Sequence, residues 1–169
     1  IMVFLQSYGL GTQRAVRIYK TYGDKAVEIV RDNPYRLATD IWGVGFKTAD
    51  ELGARLGIDP ASPKRARAAL RYTLQQAQQE GHVGFPEDDV VQMTLNVPDL
   101  PETVIRDSIE LLRQEDELVR EPGSPPWLYL KPMFLAELGI ARAVAKLQAE
   151  PHPLPRLDAE SALDAVERK

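Results

Sequence analysis

The sequence has 169 residues, no cysteine and a net charge of −4 at pH 7. Its length allows one domain or two small ones, and the lack of cysteine excludes disulfides and thiolate metal sites and fits a reducing, cytoplasmic compartment. No apolar run approaches the roughly 20 residues that span a bilayer, and the first residues lack the basic start and cleavage site of a signal peptide.

Charge is distributed unevenly along the chain. Residues 1–57 contain 8 basic and 6 acidic residues, a net of +2, and residues 58–80 contain 4 and 2, again +2. Residues 81–150 contain 6 basic and 13 acidic residues, a net of −7, and residues 151–169 contain 3 and 4, a net of −1. Any site for an anion is therefore expected in the first 80 residues.

The first predicted elements form an internal repeat with an offset of 34 residues. GLGTQRAVRI, starting at Gly9, aligns with GVGFKTADEL, starting at Gly43, and an aromatic residue precedes each copy, Tyr8 or Trp42. Each copy predicts a short helix, a tight turn with two glycines and a second helix. The elements expected over residues 1–57 are a leading helix IMVFLQS, a helix at about 11–21, a linking helix DKAVEIVRD, a short helix capped by Asn33 with Pro34 in its first turn, and a helix after Gly45 that Gly57 ends.

The following residues predict a different module. Residues 58–80 are expected to form a basic connecting helix, since proline stands near its start and glycine at its end. HVGF is a short strand candidate, PEDDVVQMTL and LPETVIRDSIELLRQEDE read as helices, and LVRE and WLYL read as a β-hairpin around PGSPP. The fold class is thus mainly α: a tandem helical hairpin over 1–57, then a winged-helix-like acidic module over 81–149 that ends in a further helix. Residues 150–169 read as a linker with a short terminal helix.

The double glycine of each hairpin predicts a phosphate site. Each glycine can take positive φ without a Cβ clash, so that the chain reverses within a few residues. The N–H groups at the start of the next helix then lack internal partners and point outward at the positive end of the helix dipole. Val44 is expected to pack inward, and Gly45→Val is expected to strain a positive φ.

The hairpin sequences resemble the helix-hairpin-helix DNA-binding motif, in its tandem form. The resemblance implies contact with the DNA sugar–phosphate backbone without sequence readout. Carried over, the phosphate-binding residues are Gly9, Gly11, Thr12, Gln13 and Arg14 in the first copy and Gly43, Val44, Gly45, Phe46, Lys47 and Thr48 in the second. Gln13 stands where the second copy has Lys47, and Arg14 is a candidate replacement. Lys64, Arg67 and Arg71 fall on one helix face and are possible additional DNA contacts.

A longer stretch, from FLQSYGLG to LGARLGI with NPYRLATDIWGVGFKTAD as its most specific part, resembles the region before the motor in RecD/TraA-family helicases, which include an exodeoxyribonuclease subunit. The resemblance implies an accessory region of a 5′-to-3′ DNA helicase that acts in repair and recombination. The chain starts at Ile1 rather than methionine and is expected to be a piece that precedes the motor. ATP and Mg²⁺ are then expected only in that motor, the partners are DNA and the motor, and no cofactor or membrane is expected for these residues.

Other chemistries have weaker sequence support. The ATP-binding pattern G-x-x-x-x-G-K-[ST] does not occur, and Arg14 and Thr48 replace the third glycine of a dinucleotide fingerprint. His82 and His152 lack metal-ligand spacing, and the acidic clusters read as solvated helix ends. The remaining alternative is a protein-docking scaffold without DNA contact. The acidic face of residues 102–115 favours a spacer or protein contact for the winged module.

Overall fold

The structure is a computed structural model that describes residues 1–149, 158, 163, 166 and 167. It divides into two compact units, Ile1–Phe134 and Leu135–Lys169. The linker and terminal helix expected over residues 150–169 fall almost wholly outside the described residues. Among the described helices, none combines the length and the apolar character that crossing a membrane would require.

The first part of the chain contains the two helical hairpins that the repeat predicts. A 3₁₀ turn, Gly23–Lys25, joins the first hairpin to the helix that links it to the second. The α-helices are α1 (Met2–Ser7), α2 (Thr12–Tyr22), α3 (Ala26–Asp32), α4 (Arg36–Asp40) and α5 (Phe46–Arg55). Equivalent positions of the two copies are buried together in one apolar core, among them the pairs Leu10 and Val44, and Ile18 and Leu52. The 34-residue repeat of the sequence is therefore confirmed as a repeat of structure.

Local chemistry sets the ends of the second hairpin. The side chain of Asn33 accepts a hydrogen bond from the backbone N–H of Tyr35 at 3.1 Å. Because α4 begins only at Arg36, with Tyr35 at its N-cap position, Asn33 and Pro34 lie in the turn before the helix, and the prediction that Asn33 caps it is wrong. At the other end, Gly57 has a φ of +77° and lets the N–H of Ile58 donate to the carbonyl oxygen of Gly53 at 3.0 Å. A left-handed residue after a helix closes the last carbonyls in this way, so Gly57 ends α5 as expected.

The second part is the module for which the sequence predicts a winged-helix-like fold, and it combines helices with a small sheet. Its strands form one antiparallel sheet in the order β1-β3-β2, with Phe85 and Arg120 both opposite Leu128. The elements are α6 (Pro63–Gln79), β1 (Gly84–Pro86), α7 (Glu87–Thr94), α8 (Glu102–Gln114), β2 (Leu118–Glu121) and β3 (Trp127–Leu130), followed by α9 (Lys131–Ala149). The fold class is therefore mainly α, with tandem hairpins and a small β module.

Helix α6 contributes to the core of this second module rather than only connecting two parts. Its buried residues include Leu70 and Leu74, which share one apolar core with Ile105 and Ile109 of α8. Phe46 of α5 belongs to the same core. The second hairpin consequently packs with one face on the first core and with the other on the second.

A partly buried ion pair fixes α5 against α6. The guanidinium of Arg65 donates to both carboxylate oxygens of Asp50, at 2.7 and 2.9 Å, and to the carbonyl oxygens of Pro60 and Pro98, at 3.0 and 2.6 Å. The hydroxyl of Tyr35 donates to Asp50 at 3.0 Å. Burial, assisted by the Asp50 carboxylate, raises the pKa of Tyr35 above its usual range, so that the hydroxyl stays a donor. The network ties the second hairpin to the winged-helix-like module through charge-assisted hydrogen bonds.

Candidate nucleic-acid interface

The two hairpin turns have nearly the same backbone geometry. The first glycine of each turn is left-handed, with φ of +87° at Gly9 and +84° at Gly43. The second glycines are not, because Gly11 has a φ of −63° and Gly45 a φ of −97°. The expectation that both glycines take positive φ is wrong for Gly11 and Gly45, since these residues already have the extended backbone of a helix N-cap.

The second glycines have a different reason to lack a side chain. A Cβ atom built on Gly11 or Gly45 would meet no atom of the described residues within 4 Å, so each faces open space. Strain at Gly45→Val is therefore not expected from φ, and that prediction is wrong. A side chain there would instead occupy the space through which a ligand reaches the start of the following helix.

The helices that follow these glycines begin without side-chain caps. Among the described residues, no side chain hydrogen-bonds the N-terminus of α2 or of α5. The first hydrogen bonds within the helices run from the N–H of Ala15 to the carbonyl oxygen of Gly11, at 3.0 Å, and from that of Ala49 to Gly45, at 3.1 Å. The N–H groups of the preceding three residues in each copy therefore have no partner within the helix. Each turn presents donors at the positive end of a helix dipole.

The side chains around these N-termini include one unpaired cation in each copy. Arg14 and Lys47 are both exposed, and within the described part of the chain neither forms an ion pair. Gln13 is also exposed, while the hydroxyl of Thr12 accepts a hydrogen bond from the Gln6 amide at 3.1 Å. The sequence-predicted residues thus come together at two turns of one structural type.

The side chains of Val44 and Phe46 do not face a phosphate, and for Val44 this inward packing is the expected one. Their side chains are buried, and Phe46 lies between Tyr35 and Tyr72, with ring centroids 6.2 and 5.1 Å away. Thr48 is half-buried. The Val44 and Phe46 side chains therefore hold the turn in place as part of the apolar core, and only the backbone of Phe46 remains available to a phosphate.

Two arginines link the hairpins in a reciprocal way that sequence reasoning missed. Arg17, on α2 of the first copy, donates to the carbonyl oxygen of Trp42 in the second turn at 2.9 Å. Arg55, on α5 of the second copy, donates to the carbonyl oxygen of Tyr8 in the first turn at 2.8 Å. The two arginines do not align in the repeat, so that the sequence offered no signal for the pair. Each fixes the turn of the other copy and so the spacing between the two helix N-termini.

Residues 1–84 match the family model described as the HHH (helix-hairpin-helix) domain of the ATP-dependent RecD2 DNA helicase. Residues 1–84 belong to this family. A curated relative, the ATP-dependent RecD2 DNA helicase of Deinococcus radiodurans, is 30% identical over 167 aligned residues, which cover 89% of this chain and 22% of the relative. The chain therefore spans about a fifth of the length of that relative.

The possible additional contacts of the RecD2-type hairpin domain lie together but are paired. Lys64, Arg67 and Arg71 line one polar cavity of about 360 Å³. Lys64 is paired with Asp32 at 2.8 Å, and Arg67 is paired with Glu115. Their positive charge is therefore largely balanced within the chain.

The third of these cations, Arg71, makes the best-defined pair. Its guanidinium donates to both carboxylate oxygens of Glu117, at 2.6 and 2.7 Å. These hydrogen bonds lower the pKa of Glu117 although partial burial opposes the shift. The pair thus links α6 to the residues just before β2 and leaves Arg71 little freedom to bind another anion.

The winged-helix-like module presents paired cations as well. Arg106 on α8 donates to Asp88 at 3.0 Å and to Glu102 at 2.8 Å. On the same helix Arg113 is paired with Glu110 at 2.6 Å. The helix that would read a DNA groove in a winged helix therefore exposes mainly carboxylates, which phosphates repel.

Proposed function

We propose that residues 1–57 bind the sugar–phosphate backbone of DNA without reading its sequence. The observation that carries this proposal is the pair of uncapped helix N-termini, each behind a glycine that faces open space. Phosphate oxygens would accept hydrogen bonds from the first N–H groups of α2 and α5, with Arg14 and Lys47 adding charge beside them. The reciprocal arginines would hold the two phosphate sites at a fixed spacing.

The same proposal places these residues in a larger protein. The described chain would be a non-catalytic accessory region of a RecD-like 5′-to-3′ DNA helicase that acts in repair and recombination. Support comes from the family match of residues 1–84 and from the helicase relative, of which the chain matches 22%. ATP and Mg²⁺ would bind in the motor of that protein, since the sequence of this chain contains no phosphate-binding loop pattern.

A protein-docking scaffold is the second candidate. It is favoured by the paired cations of the polar cavity at Lys64, Arg67 and Arg71 and by the acidic surface of α8. In that case the glycines would serve tight packing alone and Lys47 would have no ligand. The two functions therefore differ in what happens at Lys47, where a scaffold predicts no effect on DNA affinity.

A salt titration tests the DNA proposal. Anisotropy of labelled DNA, measured with the complete chain, should show weak binding that is indifferent to sequence. Because the two turns neutralise about 2–4 phosphates, log K should fall with log salt at a slope of about −2 to −4. A strong preference for one duplex sequence at fixed salt would contradict the proposal.

Lys47→Glu separates the two candidate functions. The variant should bind DNA about three- to tenfold more weakly at low salt and show a salt slope shallower by about 1. Because Lys47 is exposed, the free energy of unfolding of the variant should differ from that of wild type by less than about 0.5 kcal/mol. Arg142→Glu, an exposed position on α9 with the same change in net charge, is the matched control and should leave affinity unchanged. Equal DNA affinity of Lys47→Glu and wild type would favour the scaffold.

A further inference from the structure

The two hairpin turns differ in the aromatic residue that precedes their first glycine. Trp42, in the second turn, is 84% exposed, the largest exposed fraction among the large apolar residues that the structure describes. Its counterpart Tyr8 is half-buried and packs against Phe4, with ring centroids 4.8 Å apart. The repeat therefore keeps the aromatic position but uses it for packing in one copy and leaves it in solvent in the other.

The indole of Trp42 packs against the guanidinium of Arg17. The guanidinium carbon of Arg17 lies 5.0 Å from the centroid of the Trp42 ring, in a cation–π arrangement. The same guanidinium donates to the Trp42 carbonyl oxygen at 2.9 Å. Arg17 thus covers part of the ring and holds the backbone beneath it. Since most of the side chain stays exposed, the ring surface away from Arg17 remains available to a flat partner.

The position of this ring defines the partner. Trp42 stands directly before Gly43, and the uncapped N-terminus of α5 begins four residues after it, across a tight turn. An anion-binding group and an aromatic surface so close together match the two parts of a nucleotide, its phosphate and its base. Base–aromatic stacking is tolerant of sequence, because every base has a π-face.

We propose that Trp42 stacks on an unpaired base of the DNA strand whose phosphate lies on α5. This inference rests on the proposed function, because it assumes that the hairpins hold a DNA backbone. In a continuous duplex, the faces of the bases are covered by their neighbours, whereas a single strand or a junction exposes them. The second hairpin therefore favours single-stranded DNA or the edge of an opened duplex, while the first hairpin supplies backbone contact alone.

Tryptophan fluorescence reports on this contact directly. The sequence contains two tryptophans, Trp42 and Trp127, so Trp127→Phe leaves Trp42 as the one emitter. In this background, oligothymidylate should quench the emission in a saturable manner, and a duplex closed at both ends should bind with little quenching. Trp42→Ala should lower affinity for oligothymidylate about five- to fiftyfold and change affinity for the closed duplex by less than about twofold. Trp42→Phe should recover much of the loss, since it restores a flat ring.

The outcomes separate this inference from the proposed function. If neither form of DNA binds, both fail. If DNA binds with its salt dependence but Trp42 emission is unchanged and Trp42→Ala binds oligothymidylate normally, stacking is overturned while backbone binding stands. If the emission is instead quenched with rising protein concentration and no DNA, a second copy covers the ring and the inference is likewise overturned. Because Trp42 is exposed, Trp42→Ala should melt like wild type, which a thermal scan checks.

Discussion

The unit Ile1–Phe134 consists of a hairpin half, residues 1–57, and a winged-helix-like half, residues 58–134. Both halves contain the same kinds of charged residue, but the charges are paired differently. In the hairpin half, Arg14 and Lys47 stand beside uncapped helix N-termini without an ion pair among the described residues. In the winged-helix-like half, Arg106 and Arg113 are held by carboxylates of their own module. A cation that is already paired has less to gain from a phosphate, because the ion pair must first be broken. Pairing, rather than a count of charges, therefore distinguishes the candidate DNA surface.

The junction between these halves should show the largest effect on stability. Arg65→Ala removes the partner of Asp50 and leaves the carbonyl oxygens of Pro60 and Pro98 without this donor. Because the Arg65 side chain is 10% exposed and that of Asp50 is 23% exposed, we expect a loss of about 2–4 kcal/mol in urea unfolding.

The control for Arg65 is an ion pair on the surface of the winged half. Arg113→Ala breaks a contact between residues three apart on α8 and should cost less than about 1 kcal/mol. Similar losses for the two variants would mean that the partly buried network does not join the halves in the way described.

In the hairpin half, the first glycine of each turn should matter for stability because of its left-handed backbone. Gly43→Ala forces a side chain to a φ of +84° and places a Cβ atom 3.0 Å from Nη1 of Arg17. We expect a loss of about 1–2 kcal/mol, measured by thermal or urea unfolding. Gly11→Ala, at a φ of −63° with open space around the new atom, should lose only about 0.5 kcal/mol, because alanine is a poorer N-cap than glycine. Equal stability of wild type, Gly43→Ala and Gly11→Ala would contradict the left-handed turn at Gly43.

The smallest expected effect on stability is the loss of the Arg71–Glu117 ion pair, which should depend on pH in the acid range. Arg71 lowers the pKa of Glu117 in the folded chain, so the pair stabilises the protein above the unfolded pKa of about 4.3 and loses this contribution as pH falls through the lower folded value. Glu117→Gln should therefore be less stable than wild type at pH 7, by under about 1 kcal/mol because the pair is partly exposed.

The measurement for Glu117 is the melting temperature of both proteins across the acid range. The difference between wild type and Glu117→Gln should shrink as the pH falls below about 4. A difference that stays constant or grows in acid would show that the carboxylate charge of Glu117 is not what stabilises the contact.

Much of the fold follows from local patterns in the sequence. The 34-residue repeat and the stop at Gly57 each follow from patterns that can be read directly along the chain, and the structure confirms them. The β-hairpin over β2 and β3 was predicted at its observed bounds, because turn residues separate two short apolar runs.

The site was predictable only in part, since its details depend on contacts between distant residues. Arg17 and Arg55 reach the turns of the opposite copies over 25 and 47 positions and do not share a repeat position. The pairing of Arg71 with Glu117 spans 46 positions. The φ of Gly45 also escaped prediction, because a glycine that permits positive φ and a glycine that keeps a space open have the same sequence signature.

Gly45→Ala is the most direct probe of phosphate binding at the second turn, because it changes the space above the α5 N-terminus and little else. The backbone at Gly45 is extended and a Cβ atom would touch no described atom within 4 Å, so the variant should fold, with a loss of only about 0.5 kcal/mol because alanine is a poorer N-cap than glycine. The added methyl group would stand where a phosphate approaches the helix, and anisotropy at low salt should show a loss of DNA affinity of about tenfold. Unchanged affinity in the folded variant would contradict phosphate binding at this turn and assign the double glycine to packing alone.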